Sequence, residues 1–177
     1  MQLADQRTID ADPATVWAAI LDPEVLRVCI PGCESLSGNP DDGYEATVVQ
    51  KVGPVKARFT GHVTLSDIVP GQGLTISGEG KGGAAGFARG SAKVAMAAAE
   101  GGTLLSYDVD MHVGGKLAQL GSRIIDGFSR KMADQFFERF QSAVEGPAEG
   151  EEPEAVAVGA EGEAPAKKGW FKRMIVR

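Results

Sequence analysis

The chain has 177 residues, 43% of them hydrophobic, with a formal net charge of −6, enough apolar material for one domain with a sizeable core. Its acidic balance argues against nucleic acid as a partner, because phosphates would repel it. With only two histidines, His62 and His112, and two cysteines, Cys29 and Cys33, a His-rich metal centre is excluded and a disulfide framework is not indicated.

The N-terminus, Met1-Gln2-Leu3-Ala4-Asp5, has neither a basic start nor an apolar run, so no secretory signal is expected and the cytoplasm is the expected compartment. A short strand (Leu3 to Ile9) precedes Asp12-Pro13, an N-cap followed by a first-turn proline. Val16, Trp17, Ile20 and Leu21 then recur at helical spacing, and Asp22-Pro23 starts a second short helix that ends at Pro31-Gly32. From there to Val113 the period becomes two. In Val55 to Leu65 the residues Val55, Ala57, Phe59, Gly61, Val63 and Leu65 share one face, and Lys56, Arg58, Thr60, His62 and Thr64 the other. Similar runs cover Tyr44 to Val52, Leu74 to Gly80, Phe87 to Ala97 and Thr103 to Val113, separated by glycine- and proline-bearing turns. An antiparallel meander is predicted.

The helical period returns with Leu117, Leu120, Ile124, Phe128, Met132, Phe136 and Phe140, predicting one helix from about Lys116 to about Val144. Such a helix would be roughly 40 Å long, enough to cross a whole sheet. The implied architecture is α+β: a curved antiparallel sheet wrapped around a long C-terminal helix, with two short helices after the first strand. On the expected inner face of the sheet many positions are small: Gly61, Gly78, Gly80, Ala88, Gly90, Ala92, Ala95 and Ala97. Small residues opposite large helix side chains either interdigitate or leave an apolar cavity. The expectation is a cavity bordered by Phe59, Met96, Tyr107, Val109, Met111, Leu120, Ile124 and Phe128.

Residues 1–145 form the predicted folded domain, with 13 Lys or Arg against 18 Asp or Glu. Residues 146–166 hold six glutamates, no base and few large apolar side chains, which predicts a disordered linker spanning about 25 Å as a random coil. Residues 167–177 follow with five basic residues among aromatics and aliphatics. This tip is expected to meet an anionic bilayer peripherally through Lys167, Lys168, Trp170, Phe171, Lys172, Arg173, Met174 and Ile175. It is too short to span one, and the acidic domain leaves the tip alone to supply membrane attraction.

Other patterns are weaker. Gly78-Glu79-Gly80-Lys81-Gly82-Gly83 satisfies G-x-G-x-x-G, yet it lies between two strands rather than opening a helix, so a nucleotide site is not expected. Cys29 and Cys33 lack partner ligands. Asp108, Asp110 and His112 alternate along one strand face, a pattern that a wet face explains better than an acid/base cluster.

Four motifs point to a family. They are Asp12-Pro13-x-x-Val16-Trp17, Ile30-Pro31-Gly32-Cys33, Val52-Gly53-Pro54-Val55-Lys56-Ala57, and the run from Gly114 through Lys116, Leu117 and Gly121 to Arg123. With them the chain strongly resembles the G subunit of carbon monoxide dehydrogenase over residues 1 to about 145, the first motif being shared with the wider START-like, SRPBCC superfamily. The resemblance implies the helix-grip (START/Bet v 1-like) fold with an apolar cavity. It also implies a non-catalytic accessory role, recruiting a molybdenum hydroxylase of the aerobic CO dehydrogenase type to the cytoplasmic face of the membrane. Cavity and tip together suggest a carrier for a lipid-like ligand, a quinone such as menaquinone, with no covalently bound cofactor. The rival reading is a cyclase-like enzyme using Tyr107, His112 or Asp110 as acid or base in the same cavity.

Overall fold

The structure, a computed structural model, describes residues 1–145; the expected linker 146–166 and basic tip 167–177 lie outside the described residues. Met1–Val144 forms one compact unit. Its elements run β1 (Gln2–Ile9), α1 (Pro13–Leu21), α2 (Pro23–Cys29), β2 (Cys33–Asn39), β3 (Gly43–Val52), β4 (Val55–Val69), β5 (Gly73–Lys81), a 3₁₀ turn (Gly83–Ala85), β6 (Phe87–Ala99), β7 (Gly102–Gly114), α3 (Lys116–Gln119) and α4 (Ser122–Glu145). All seven strands join one antiparallel sheet in the order β1-β7-β6-β5-β4-β3-β2. The only break in the chain order is β1, which the two short helices separate from the meander and which closes against β7.

Local chemistry sets these boundaries. The Asp12 carboxylate accepts from the Thr15 amide at 2.9 Å and Asp22 from the Glu24 amide at 2.9 Å, so each short helix has its own N-cap followed by proline. The Asp12 carboxyl is held below its ordinary range by this hydrogen bonding to Thr15. The β3–β4 hairpin closes over two residues, Gly53-Pro54, with Gly53 at a positive φ of 58°. Along β4 partly buried and exposed residues alternate from Val55 to Ser66, which puts Phe59, Gly61 and Val63 inside and His62 outside.

The C-terminal helix is not one rod. Gly121, at φ 89°, ends the short α3 and begins the 24-residue α4. That break turns α4 about its axis relative to an unbroken helix, so Ile125 is buried while Ile124 is 42% exposed. An aromatic cluster lies further along: Phe136, Phe137 and Phe140 of α4 stack with one another and with Tyr107, the Tyr107 and Phe137 rings 5.2 Å apart and nearly parallel. Ile9, Val16, Leu105 and Phe140 are completely buried around this cluster.

Candidate functional site

Strand register creates an interior with missing side chains. Gly61 of β4 pairs with Gly80 of β5, and Gly80 with Ala88 of β6, in one row across the sheet. One inward step along the strands, Val63 pairs with Gly78 and Gly78 with Gly90. Five small residues therefore form a contiguous floor under α4. A Cβ added at Gly80 would meet nothing closer than 4.0 Å. Glycine there is not demanded by backbone packing; its missing side chain is simply empty space.

Two hollows lie between this floor and the helices. The first, about 380 Å³, has all five small residues in its wall, with Val52, Phe59 and Val113 from the strands and Leu117, Ile125 and Phe128 from α3 and α4. The second, about 310 Å³, is bordered by Ile20, Leu26 and Ile30 near α1 and α2, by Tyr44 and Tyr107, and by Phe136 and Phe137. Gly61, Val63 and Ile76 belong to both walls. Each volume falls at the lower end of the roughly 300–1,000 Å³ range of ligand pockets.

Both walls are almost entirely apolar. Glu79, Arg89 and Ser91 border the first hollow, but strand alternation sends their side chains outward, and the Arg89 guanidinium lies over the Phe87 ring. Gln50 and Ser129 are the polar side chains that remain, and the Gln50 amide already donates to the Pro31 carbonyl. In the second hollow the Tyr44 hydroxyl donates to the Leu21 carbonyl at 2.6 Å, and burial, with a contribution from Asp22, pushes its pKa up. The Tyr107 hydroxyl accepts from Arg7 at 3.3 Å, and Arg7 also donates to Asp134 at 2.6 Å. Polar groups at the walls are thus mostly committed to the protein. What fits is an apolar molecule with at most a few oxygen atoms.

Of the residues expected to border a cavity, Phe59, Val109, Met111 and Phe128 line the first hollow and Tyr107 the second. Three lie elsewhere. Met96 is packed into the core beside the buried Val94 and Leu105. Leu120 and Ile124 sit against the β3–β4 turn, 3.9 and 3.7 Å from where a Cβ on Gly53 would be; Leu120 packs on the cluster of Val52, Leu117 and Ile125, and Ile124 is exposed. Ala95 and Ala97 are likewise outside: Val94 and Met96 are the buried residues of that stretch, and adjacent positions cannot share a face. Sequence reasoning missed Val52, Leu117 and Ile125. Leu117 already stood in the helical pattern, and Val52 in the strand pattern, next to their turns.

The acid/base alternative keeps Tyr107 in a hollow wall, its hydroxyl accepting from Arg7, and loses Asp110 and His112 to strand geometry. Tyr107, Val109 and Met111 face inward, so Asp108, Asp110 and His112 face outward. His62 is also on the outer face, with Nδ1 3.9 Å from Glu45. Cys29 is buried among apolar side chains and its thiol is pushed up by desolvation; Cys33 is pushed up mainly by burial, and its Sγ lies 3.3 Å from the Ser35 carbonyl. Neither is a reactive thiolate. Among the described residues no three metal-ligating side chains gather, and no helix is long and apolar enough to cross a membrane. Gly78 and Gly80 are ladder residues of β5, followed by a 3₁₀ turn of three residues, and open no helix onto a phosphate.

The fold has relatives. The family model for the G subunit of carbon monoxide dehydrogenase (CoxG) matches residues 6–145. The chain belongs to the CoxG family. Family membership supports an accessory role beside carbon monoxide dehydrogenase. The crystal structure of a conserved protein from Geobacillus kaustophilus is 26% identical with a TM-score of 0.76, over 81% of this chain and 95% of that one. A Chromobacterium violaceum protein (18% identity, TM-score 0.60, 82% and 98% coverage) and Ara h 8.0201 (19%, 0.55, 81% and 97%) share the fold alone. The CoxG fold is thus the helix-grip, Bet v 1-like architecture. No curated protein sequence matches the chain.

Proposed function

We propose that this CoxG-family protein is a non-catalytic carrier that holds a quinone or similar lipid in its apolar interior and relays it between the membrane and a molybdenum-containing, CO dehydrogenase-type enzyme. The observation that carries this reading is the floor of Gly61, Gly78, Gly80, Ala88 and Gly90, which leaves an apolar hollow beneath α4. A quinone's isoprenoid tail is stabilised in lipid by about 25 cal/mol per Å² of buried apolar surface, so it does not cross water unaccompanied. A sheltered hollow offsets that cost, and Gln50 and Ser129 offer polar atoms to a ring carbonyl. The sequence of the C-terminal segment supports the membrane half of the reading: Trp170, Phe171, Met174 and Ile175 suit the interface and the neighbouring lysines and arginine suit anionic headgroups. The protein then works at the inner face of the cell membrane as a peripheral component.

The test is chemical. The full chain, expressed in a host that makes quinones, is extracted and its lipids are identified by mass spectrometry. Recovery of a quinone in near-stoichiometric amount, and its loss from Gly80→Leu, supports the carrier. A protein that carries no lipid, or whose lipid is indifferent to Gly80→Leu, overturns it.

A further inference from the structure

In an antiparallel meander alternate links lie at the same end of the sheet, so sequence position fixes which charges gather there. One end has the β3–β4 turn, the β5–β6 link and the β7–α3–α4 connection. In or immediately beside those links stand Lys51, Lys56, Lys81, Lys116 and Arg123, all exposed. None of the five is in an ion pair among the described residues. Glu34, the second residue of β2 at this end, is matched by Arg58 through contacts of 2.9 and 3.1 Å. Glu79, two residues before Lys81, and Asp126, one turn along α4 from Arg123, are the next acids in sequence. The N-terminus of α4 adds the positive end of its dipole. The opposite end holds the β1–α1, β2–β3, β4–β5 and β6–β7 links, with Asp10, Asp12, Asp41, Asp42 and Glu100 and no base.

The basic end is also the end of the first hollow. Val52 and Leu117 of its wall are the direct neighbours of Lys51 and Lys116, and the exposed Ile124 rests on the Gly53 turn between Lys51 and Lys56. We infer that this end of the folded domain is a second membrane contact, independent of the C-terminal tip, which seats the first hollow against an anionic bilayer. The domain's negative total conceals this, because charge is segregated by end. A bilayer fits better than an acidic protein: the bases are spread on separate links around an apolar hollow instead of along a groove, and an exposed aliphatic residue stands among them. From the carrier reading this contact takes only the reason for a hollow to face lipid.

Hydrogen exchange on the full chain, with phosphatidylserine-containing vesicles against phosphatidylcholine alone, tests it. Protection is expected in residues 51–56 and 115–124 with the anionic vesicles only. A Lys51→Gln/Lys56→Gln/Lys116→Gln variant, with its tip intact and its melting curve unchanged, should lose that protection and bind these vesicles on the order of a hundredfold more weakly, at roughly fivefold per base. Asp41→Asn/Glu100→Gln should not weaken binding. Protection confined to the C-terminal segment, or unchanged vesicle binding by the triple variant, overturns the inference, as does loss of binding to the oxidoreductase alone. Lipid content separates the two readings: an empty protein whose basic end is still protected keeps this contact and removes the carrier.

Discussion

The two ends of the sheet are made of the same antiparallel hairpins, yet they present different side chains to α4: large rings and aliphatics, which also border the second hollow, at one end and glycine and alanine at the other. At the acidic end Phe137 and Phe140 of α4 pack on Tyr107, Leu105 and Ile9, and the Thr103 hydroxyl, fully buried, donates to the Ala11 carbonyl at 2.7 Å. At the basic end α4 faces glycine and alanine across a void. Stability is therefore concentrated where aromatic rings meet β-sheet, and binding capacity where the sheet has no side chains to offer. A helix that grips at one end can hold its other end over an empty space without collapsing into it.

The largest effect should come from breaking the packed end. Phe140→Ala removes a completely buried ring and should cost about 3–5 kcal/mol, read from denaturant melts. If it costs less than about 1 kcal/mol, the contrast between the ends is wrong. The hollow end should respond differently: Gly80→Val places its methyl groups in open space and improves strand propensity, so stability should hold or rise by up to about 1 kcal/mol while lipid content falls. A strong destabilisation would mean that the floor is already covered. Arg7→Met, at the rim of the packed end, should cost less than about 1 kcal/mol, because Asp134 is largely exposed and the ion pair is screened.

The smallest effect is at Asp12, the α1 cap at the acidic end. Its folded-state pKa is depressed by the hydrogen bonds from Thr15, so its contribution is present above the unfolded pKa and is lost as pH falls through the folded value. Melting curves taken from about pH 5 down to about pH 2 should converge for the wild type and Asp12→Asn, whose amide caps without titrating. Curves that stay a constant distance apart would remove the cap from the pH response.

Most of the framework was legible because strong local signals carried it. Period-two alternation in β4 and the Asp-Pro caps of α1 and α2 placed those elements, and the small residues of β4 to β6 announced the interior space. Three things were not local. Gly121 looks tolerable inside a helical pattern, and its positive φ, which separates α3 from α4 and leaves Ile125 inward and Ile124 outward, has no local sequence signal. Met96 belongs to the core because β6 continues past the hollow to the packed end. The charge division between the ends becomes visible only after strand order says which links are neighbours, since Lys51, Lys81 and Lys116 are far apart in the chain.

The glycine floor has one further consequence. A glycine floor has no side chains to rotate into the hollow, so the empty protein carries whatever volume Phe59, Met111 and Phe128 on the other walls leave unfilled. Unfolding eliminates that volume, and compression should therefore unfold the empty form at lower pressure than a filled one, with a volume change toward the larger end of the usual range of about 20 to 100 mL/mol. Cargo, by occupying the space, would harden the molecule against pressure as well as heat.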